Sequence, residues 1–139
     1  MLINKDQITR FIPQRPPFVM IDSLIDATEN SFSSQFEIRK ENIFLQDNIL
    51  SESAMVENVA QTCAAGFGYI NSLKGEAEGK LGFIGAVSRL NVRSLPKEND
   101  LISTKIEILN TFDAIHLIQG TVYCNEEPLL ECQMKIVIP

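Results

Sequence analysis

The chain has 139 residues, 45% of them apolar and 22% charged, with a formal net charge of −6. That length can bury a core without disulfide or metal staples and suits one domain spanning residues 1–139. The acidic balance argues against nucleic acid, which demands a basic face, and no run approaches the roughly 18 apolar residues of a membrane-spanning helix.

Residues 5 to 11 suit a short helix stopped by Pro13, and Pro16-Pro17 then impose an extended path. Val19, Ile21 and Ile25 alternate with Met20, Asp22 and Leu24, which predicts a first strand. Thr28-Glu29-Asn30 supplies a turn into a second strand carrying Phe32, Phe36 and Ile38. From about Ser53 to Leu73 the period changes. Met55, Val56, Val59, Ala60, Cys63, Phe67 and Ile70 share one arc of a helix. The other side carries Ala64, Ala65 and Gly68, with Glu57 and Gln61 one turn apart between them. Small residues on a second face admit backbone or ligand closely, so this helix belongs inside the fold.

A Gly-and-charge loop, 74–80, leads into strands only. Leu81 to Arg93 is one, Pro96 to Asp100 a turn, and Ile102, Thr104, Ile106 and Ile108 mark the next. Ala114 to Cys124 is another, and Asn125 to Pro128 closes a hairpin. Leu130, Cys132, Met134, Ile136 and Ile138 alternate with period two to the end. Two strands, one long helix and four hairpin-ordered strands predict an α+β layout in which one sheet curls around one helix.

Cys63, Cys124 and Cys132 are an odd count without metal-ligand spacing. They read as buried thiols of a reducing compartment, and with no apolar N-terminal segment the expected location is cytoplasmic. Cys63 falls in the apolar arc, where packing is the expected role. His116 is the one histidine; in mid-strand, between Ile115 and Leu117, it reads as a satisfied half-buried residue.

Ile12-Pro13-Gln14-Arg15-Pro16-Pro17-Phe18-Val19-Met20-Ile21-Asp22 resembles the N-terminal motif of the 3-hydroxyacyl-[acyl-carrier-protein] dehydratases of the hotdog superfamily. Val56-Glu57-Asn58-Val59-Ala60-Gln61 resembles the central-helix motif of that family, and Phe83-Ile84-Gly85-Ala86-Val87 its glycine-containing strand. The likeness runs through nearly the whole chain in order. In that family a histidine of the first motif and a carboxylate of the helix work together across a dimer interface. The resemblance puts Gln14 at the histidine position and Glu57 at the carboxylate position. The loop Phe44 to Glu52 also departs, being shorter and carrying Ser51-Glu52 where the family has Pro-Gly. The chain is thus similar to a divergent branch, the dehydratase-like proteins of aryl-polyene and flexirubin-type pigment synthesis.

Dehydrating a 3-hydroxyacyl thioester needs a base for the Cα proton, an acid for the departing hydroxyl and a donor for the enolate oxygen. Glu57 is the candidate acid. The resemblance implies the Gly85 N–H as the oxyanion donor, and glycine lets the thioester approach closely. Gln14 can only hydrogen-bond, because an amide does not exchange a proton near pH 7. Gln61, Phe18 and Ala64 are the further substrate-contacting candidates, Gln61 also reading as a packing partner one turn from Glu57. Arg89 and Arg93, alternating with Asn91, form either a solvated face or a patch for an acidic carrier protein and its phosphopantetheine arm.

Three functions fit. The first is a dehydratase of carrier-bound 3-hydroxyacyl chains. The second is a non-catalytic acyl-binding subunit that pairs with a histidine-containing homologue in a mixed dimer. The third is an acyl thioesterase. A homodimer or larger assembly is expected, with no metal or redox cofactor beyond the phosphopantetheine borne by the substrate.

Overall fold

The computed structural model describes residues 1–75 and 82–138. After one 3-10 turn at Ile8–Arg10 come strands β1 (Ser23–Ala27) and β2 (Ser31–Glu37) and the short strands β3 (Leu45–Gln46) and β4 (Ile49–Leu50). Helix α1 (Glu52–Leu73) follows, then β5 (Phe83–Val92), β6 (Leu101–Phe112), β7 (Ile115–Cys124) and β8 (Glu127–Val137). Six strands form one antiparallel sheet in the order β1-β2-β6-β7-β8-β5. The helix packs across β1, β2, β6 and β7. This is the α+β hotdog fold that the resemblance implied. No helix among the described residues is long and apolar enough to cross a membrane.

The helix starts where Ser51, still extended, accepts a hydrogen bond from the Ala54 N–H at 3.3 Å. Glu52 then places a carboxylate at the positive end of the helix dipole. Gly75, at φ 76°, takes the chain out of the helix. On the sheet, Ile102, Thr104 and Ile106 of β6 and Leu130, Cys132, Met134 and Ile136 of β8 are buried on the helix side. Their period-two spacing puts one face of each strand into the core.

Two glycines set how closely helix and sheet approach. The Phe32 ring of β2 occupies the space a side chain on Gly66 would need. A methyl group on Gly120 of β7 would lie 2.5 Å from Val59 Cγ1 and 3.3 Å from Ile106 Cδ1. Gly120→Ala is therefore expected to lower stability by about 1–3 kcal/mol through overpacking. An unchanged urea midpoint would contradict this packing.

Several expectations need correction. The helix expected over residues 5 to 11 is only the 3-10 turn. The first strand begins at Ser23 rather than near Val19, because helix side chains bind the Phe18 and Met20 backbone groups that a neighbouring strand would need. Asp47 and Asn48, at φ 52° and 66°, make a two-residue turn between β3 and β4 within the stretch 44–52 expected as loop. The β7–β8 turn is tighter than expected, with Asn125 and Glu126 at positive φ and β8 starting at Glu127. Most of the 74–80 loop, and Leu81 as a strand start, lie outside the described residues.

Candidate active site

A buried polar network docks the N-terminal segment onto α1. Asn58 donates to the Met20 carbonyl at 2.6 Å and accepts from the Thr104 hydroxyl at 2.5 Å. Thr62 Oγ1 donates to the Asn58 carbonyl and lies 2.7 Å from Ser34 Oγ. Gln61, fully buried, accepts the Met20 N–H at 2.6 Å and donates to the Phe18 carbonyl at 2.9 Å. Asn58, Gln61, Thr62, Ser34 and Thr104 thus each find a partner, the condition under which such a network can specify one arrangement.

The network ends on Glu57. Gln61 Nε2 donates to Glu57 Oε1 at 3.0 Å, and Gln14 Nε2 reaches the same oxygen at 3.4 Å. The two positions that the resemblance paired across a dimer interface therefore meet inside one protomer. Gln61 joins them because i and i+4 share a helix face. Gln14 Oε1 is buried and has no hydrogen-bond partner among the described residues.

Gln14 and Glu57 head a cavity of about 260 Å3 that follows one stripe of α1, through Ala60, Ala64, Phe67, Gly68 and Asn71. Pro13, Gly82, Ile84, Ile136 and Ile138 close its other sides. Glu57 also borders a shallow groove outside, formed with Ser51, Val56, Val87 and Leu90. One carboxyl group is therefore reached both from an apolar channel and from the β5 edge. A largely apolar space with Gln14 and Glu57 converging at one end and Asn71 at the other suits a ligand with a reactive head and a hydrocarbon tail.

The remaining candidates are placed differently. Ala64 lines the cavity, and Gln61 lies behind Glu57 as its partner. The Phe18 side chain is 56% exposed and outside the cavity; its carbonyl is what the network uses. Gly85 sits at a register irregularity between Ile84 and Ala86, beside the cavity-lining Ile84. The alternation expected of Arg89, Asn91 and Arg93 breaks, because the register shifts between Ser88 and Asn91 and Arg89 takes φ 50°. Arg93, just past β5, lies 3.7 Å from Glu131, which Asn91 also contacts.

Burial pushes the Cys63 thiol up and that of Cys132 up to about 11, so both pack as apolar groups rather than nucleophiles. His116 is half-buried, with Nδ1 3.0 Å from Thr111 Oγ1 and its ring 4.5 Å from that of Phe67. It therefore touches the wall of the cavity without lining it, a contact its place in the sequence did not suggest. Burial lowers the His116 pKa, so between its folded and unfolded values the unfolded chain binds the extra proton. Its contribution to stability is present above the ordinary value near 6.5 and is lost as pH falls through the folded one. The stability difference between pH 7.5 and pH 5 (two conditions chosen about that value) should shrink in His116→Gln. An unchanged difference would show that His116 does not contribute.

A family model described as ApeP-like, ApeP dehydratase, matches residues 6–139. The 3-hydroxyacyl-[acyl-carrier-protein] dehydratase FabZ of Caldicellulosiruptor bescii is 25% identical over 92% of this chain and 97% of its own. The FabZ of Sulfurimonas denitrificans is 23% identical over 99% and 98%. Among solved structures, the dehydratase heterocomplex ApeI:P from Xenorhabdus doucetiae aligns with a TM-score of 0.88 at 17% identity, covering 95% of this chain and 90% of that one.

Proposed function

The chain belongs to the ApeP-like family, and from that membership we propose that it acts on carrier-bound 3-hydroxyacyl thioesters as a dehydratase, with Glu57 as its proton-moving group. The observation that carries this reading is Glu57 at the head of an apolar cavity, oriented by the amides of Gln14 and Gln61. The acyl chain lies along Ala60 and Ala64. The Cα proton passes through a water molecule to the Glu57 carboxylate, and the carboxyl group so formed protonates the departing 3-hydroxyl, which leaves as water and returns the carboxylate. The Gly85 N–H is assigned to the thioester oxygen as negative charge develops there.

The acidic carrier approaches the side bearing Arg89 and Arg93, where the Arg93–Glu131 pair must open to release a cation. Such an exposed pair is worth at most about 1 kcal/mol, so opening it is easy. The pantetheine arm arrives with the substrate, and the proposed setting is the cytoplasm.

A second reading is favoured by the histidine count. The chain has one histidine, and it is held by Thr111 and Phe67 rather than in the cavity lining. Here the chain is a non-catalytic acyl-binding subunit, with a homologue supplying the imidazole. The β1 edge is partly covered by the Ile3–Leu24 bridge, whereas β5 ends the sheet and exposes Ile84, Val87 and Leu90. An uncovered apolar edge strand suits pairing with a second hotdog chain, of the same or another sequence.

Turnover of a carrier-bound 3-hydroxyacyl chain, followed by mass spectrometry, separates the readings. Loss of water with the purified protein alone supports the first. Loss only after a histidine-containing homologue is added supports the second. Release of a free carboxylate identifies a thioesterase and overturns both.

A further inference from the structure

The Gln14 side chain has two ends, and only one is used. Its Nε2 faces the Glu57 oxygen, while its Oε1 is the single buried side-chain polar atom among the described residues without a partner. The residue lines the same cavity as Glu57. Turning the amide over would set its oxygen against an oxygen already accepting from Gln61, so contact with Glu57 carboxylate keeps the acceptor end free.

Such an acceptor calls for a hydrogen-bond donor from a ligand. Beyond the Gln14–Glu57 head, the cavity is lined mainly by Ala60, Ala64, Phe67, Ile136 and Ile138. The acyl-thioester reading supplies a neutral donor, carried on a hydrocarbon chain that fits that lining. A hydroxyl near the head of an acyl chain meets both demands.

We infer that Gln14 is a specificity-determining residue whose Oε1 accepts the hydrogen of the 3-hydroxyl group, so that the site distinguishes 3-hydroxyacyl ligands from their dehydrated or saturated counterparts. This rests on the acyl-thioester reading of the cavity. It gives a glutamine at this position a use that does not depend on proton transfer. The ligand loses its donor when water leaves, the acceptor is then unsatisfied, and the enoyl product is released in preference to the substrate.

The test uses three pantetheine amides of one chain length, in which nitrogen replaces the thioester sulfur to suppress elimination. A cavity of about 260 Å3 holds about nine water-sized groups, so 3-hydroxyoctanoyl, 2-octenoyl and octanoyl chains are suitable probes. Calorimetric titration of the wild type should show the hydroxyl compound binding about five- to hundredfold tighter than the other two, the range of one buried hydrogen bond. In Gln14→Met, and in Gln14→Asn where the amide is withdrawn by one methylene, that ratio should fall to near one. A change of packing alone would move all three affinities together and leave the ratio intact.

Equal wild-type affinities overturn the inference and leave the acyl reading standing; they would mean that a group common to all three, such as the pantetheine amide, meets Oε1. A ratio retained in both variants also overturns it. Failure of all three compounds to bind overturns the acyl reading and the inference with it.

Discussion

Glu57→Gln is expected to reduce water loss from a carrier-bound 3-hydroxyacyl chain by about 10²–10⁴-fold, the usual contribution of a positioned acid or base. The substitution is nearly isosteric. An amide oxygen at the Oε1 position still accepts from Gln14 and Gln61, which now reach it at 3.4 and 3.0 Å. What disappears is the ability to give and regain a proton. Thermal stability and affinity for the saturated pantetheine amide should therefore stay close to wild type while turnover falls. Turnover within about threefold of wild type, well below the span of general acid–base catalysis, would remove Glu57 from the chemistry.

The second large effect concerns the platform beneath the site. Asn58→Ala should cost about 2–6 kcal/mol of folding stability, because it deprives both the Met20 carbonyl and the Thr104 hydroxyl of a partner, at about 1–3 kcal/mol for each buried group. Asn58 and Thr104 are both about 1% exposed, so solvent does not readily replace the lost contacts. The N-terminal segment that carries Gln14 is seated through the same residues. Urea unfolding should show the lowered midpoint, and hydrogen exchange should show reduced protection at Met20, whose N–H is bound by Gln61. A cost below about 1 kcal/mol, under the price of even one buried unsatisfied group, would mean that the segment is held by packing alone.

How much of this was legible depended on where each backbone or side-chain group found its partner. Leu130 to Ile136 could be read as a strand because the sheet buries one face of it, and burial leaves a period in the sequence. The long helix was legible from its length and its change of period. The strand expected near Val19 was not, because its backbone is bound by Asn58 and Gln61, 38 to 43 residues away. No local pattern announces such a contact. Gln61, expected both as a packing partner of Glu57 and as a substrate contact, is fully buried behind it; a polar residue in a helix looks the same whether solvent or a backbone carbonyl satisfies it. The alternation of Arg89, Asn91 and Arg93 failed at a register break that depends on pairing with β8. For the site itself, the nearness of Gln14 and Glu57 rested on resemblance alone, and Gln14 Oε1 left without a partner is visible only in three dimensions.

The cavity headed by Glu57 is proposed as the acyl site. A crystal structure of the protein with the 3-hydroxyoctanoyl pantetheine amide tests that most directly. The hydrocarbon chain is expected along Ala60 and Ala64, opposite Ile136 and Ile138, with the 3-hydroxyl against Gln14 and Glu57 and the pantetheine leaving toward the β5 edge. A ligand bound elsewhere, with this cavity empty, would contradict it.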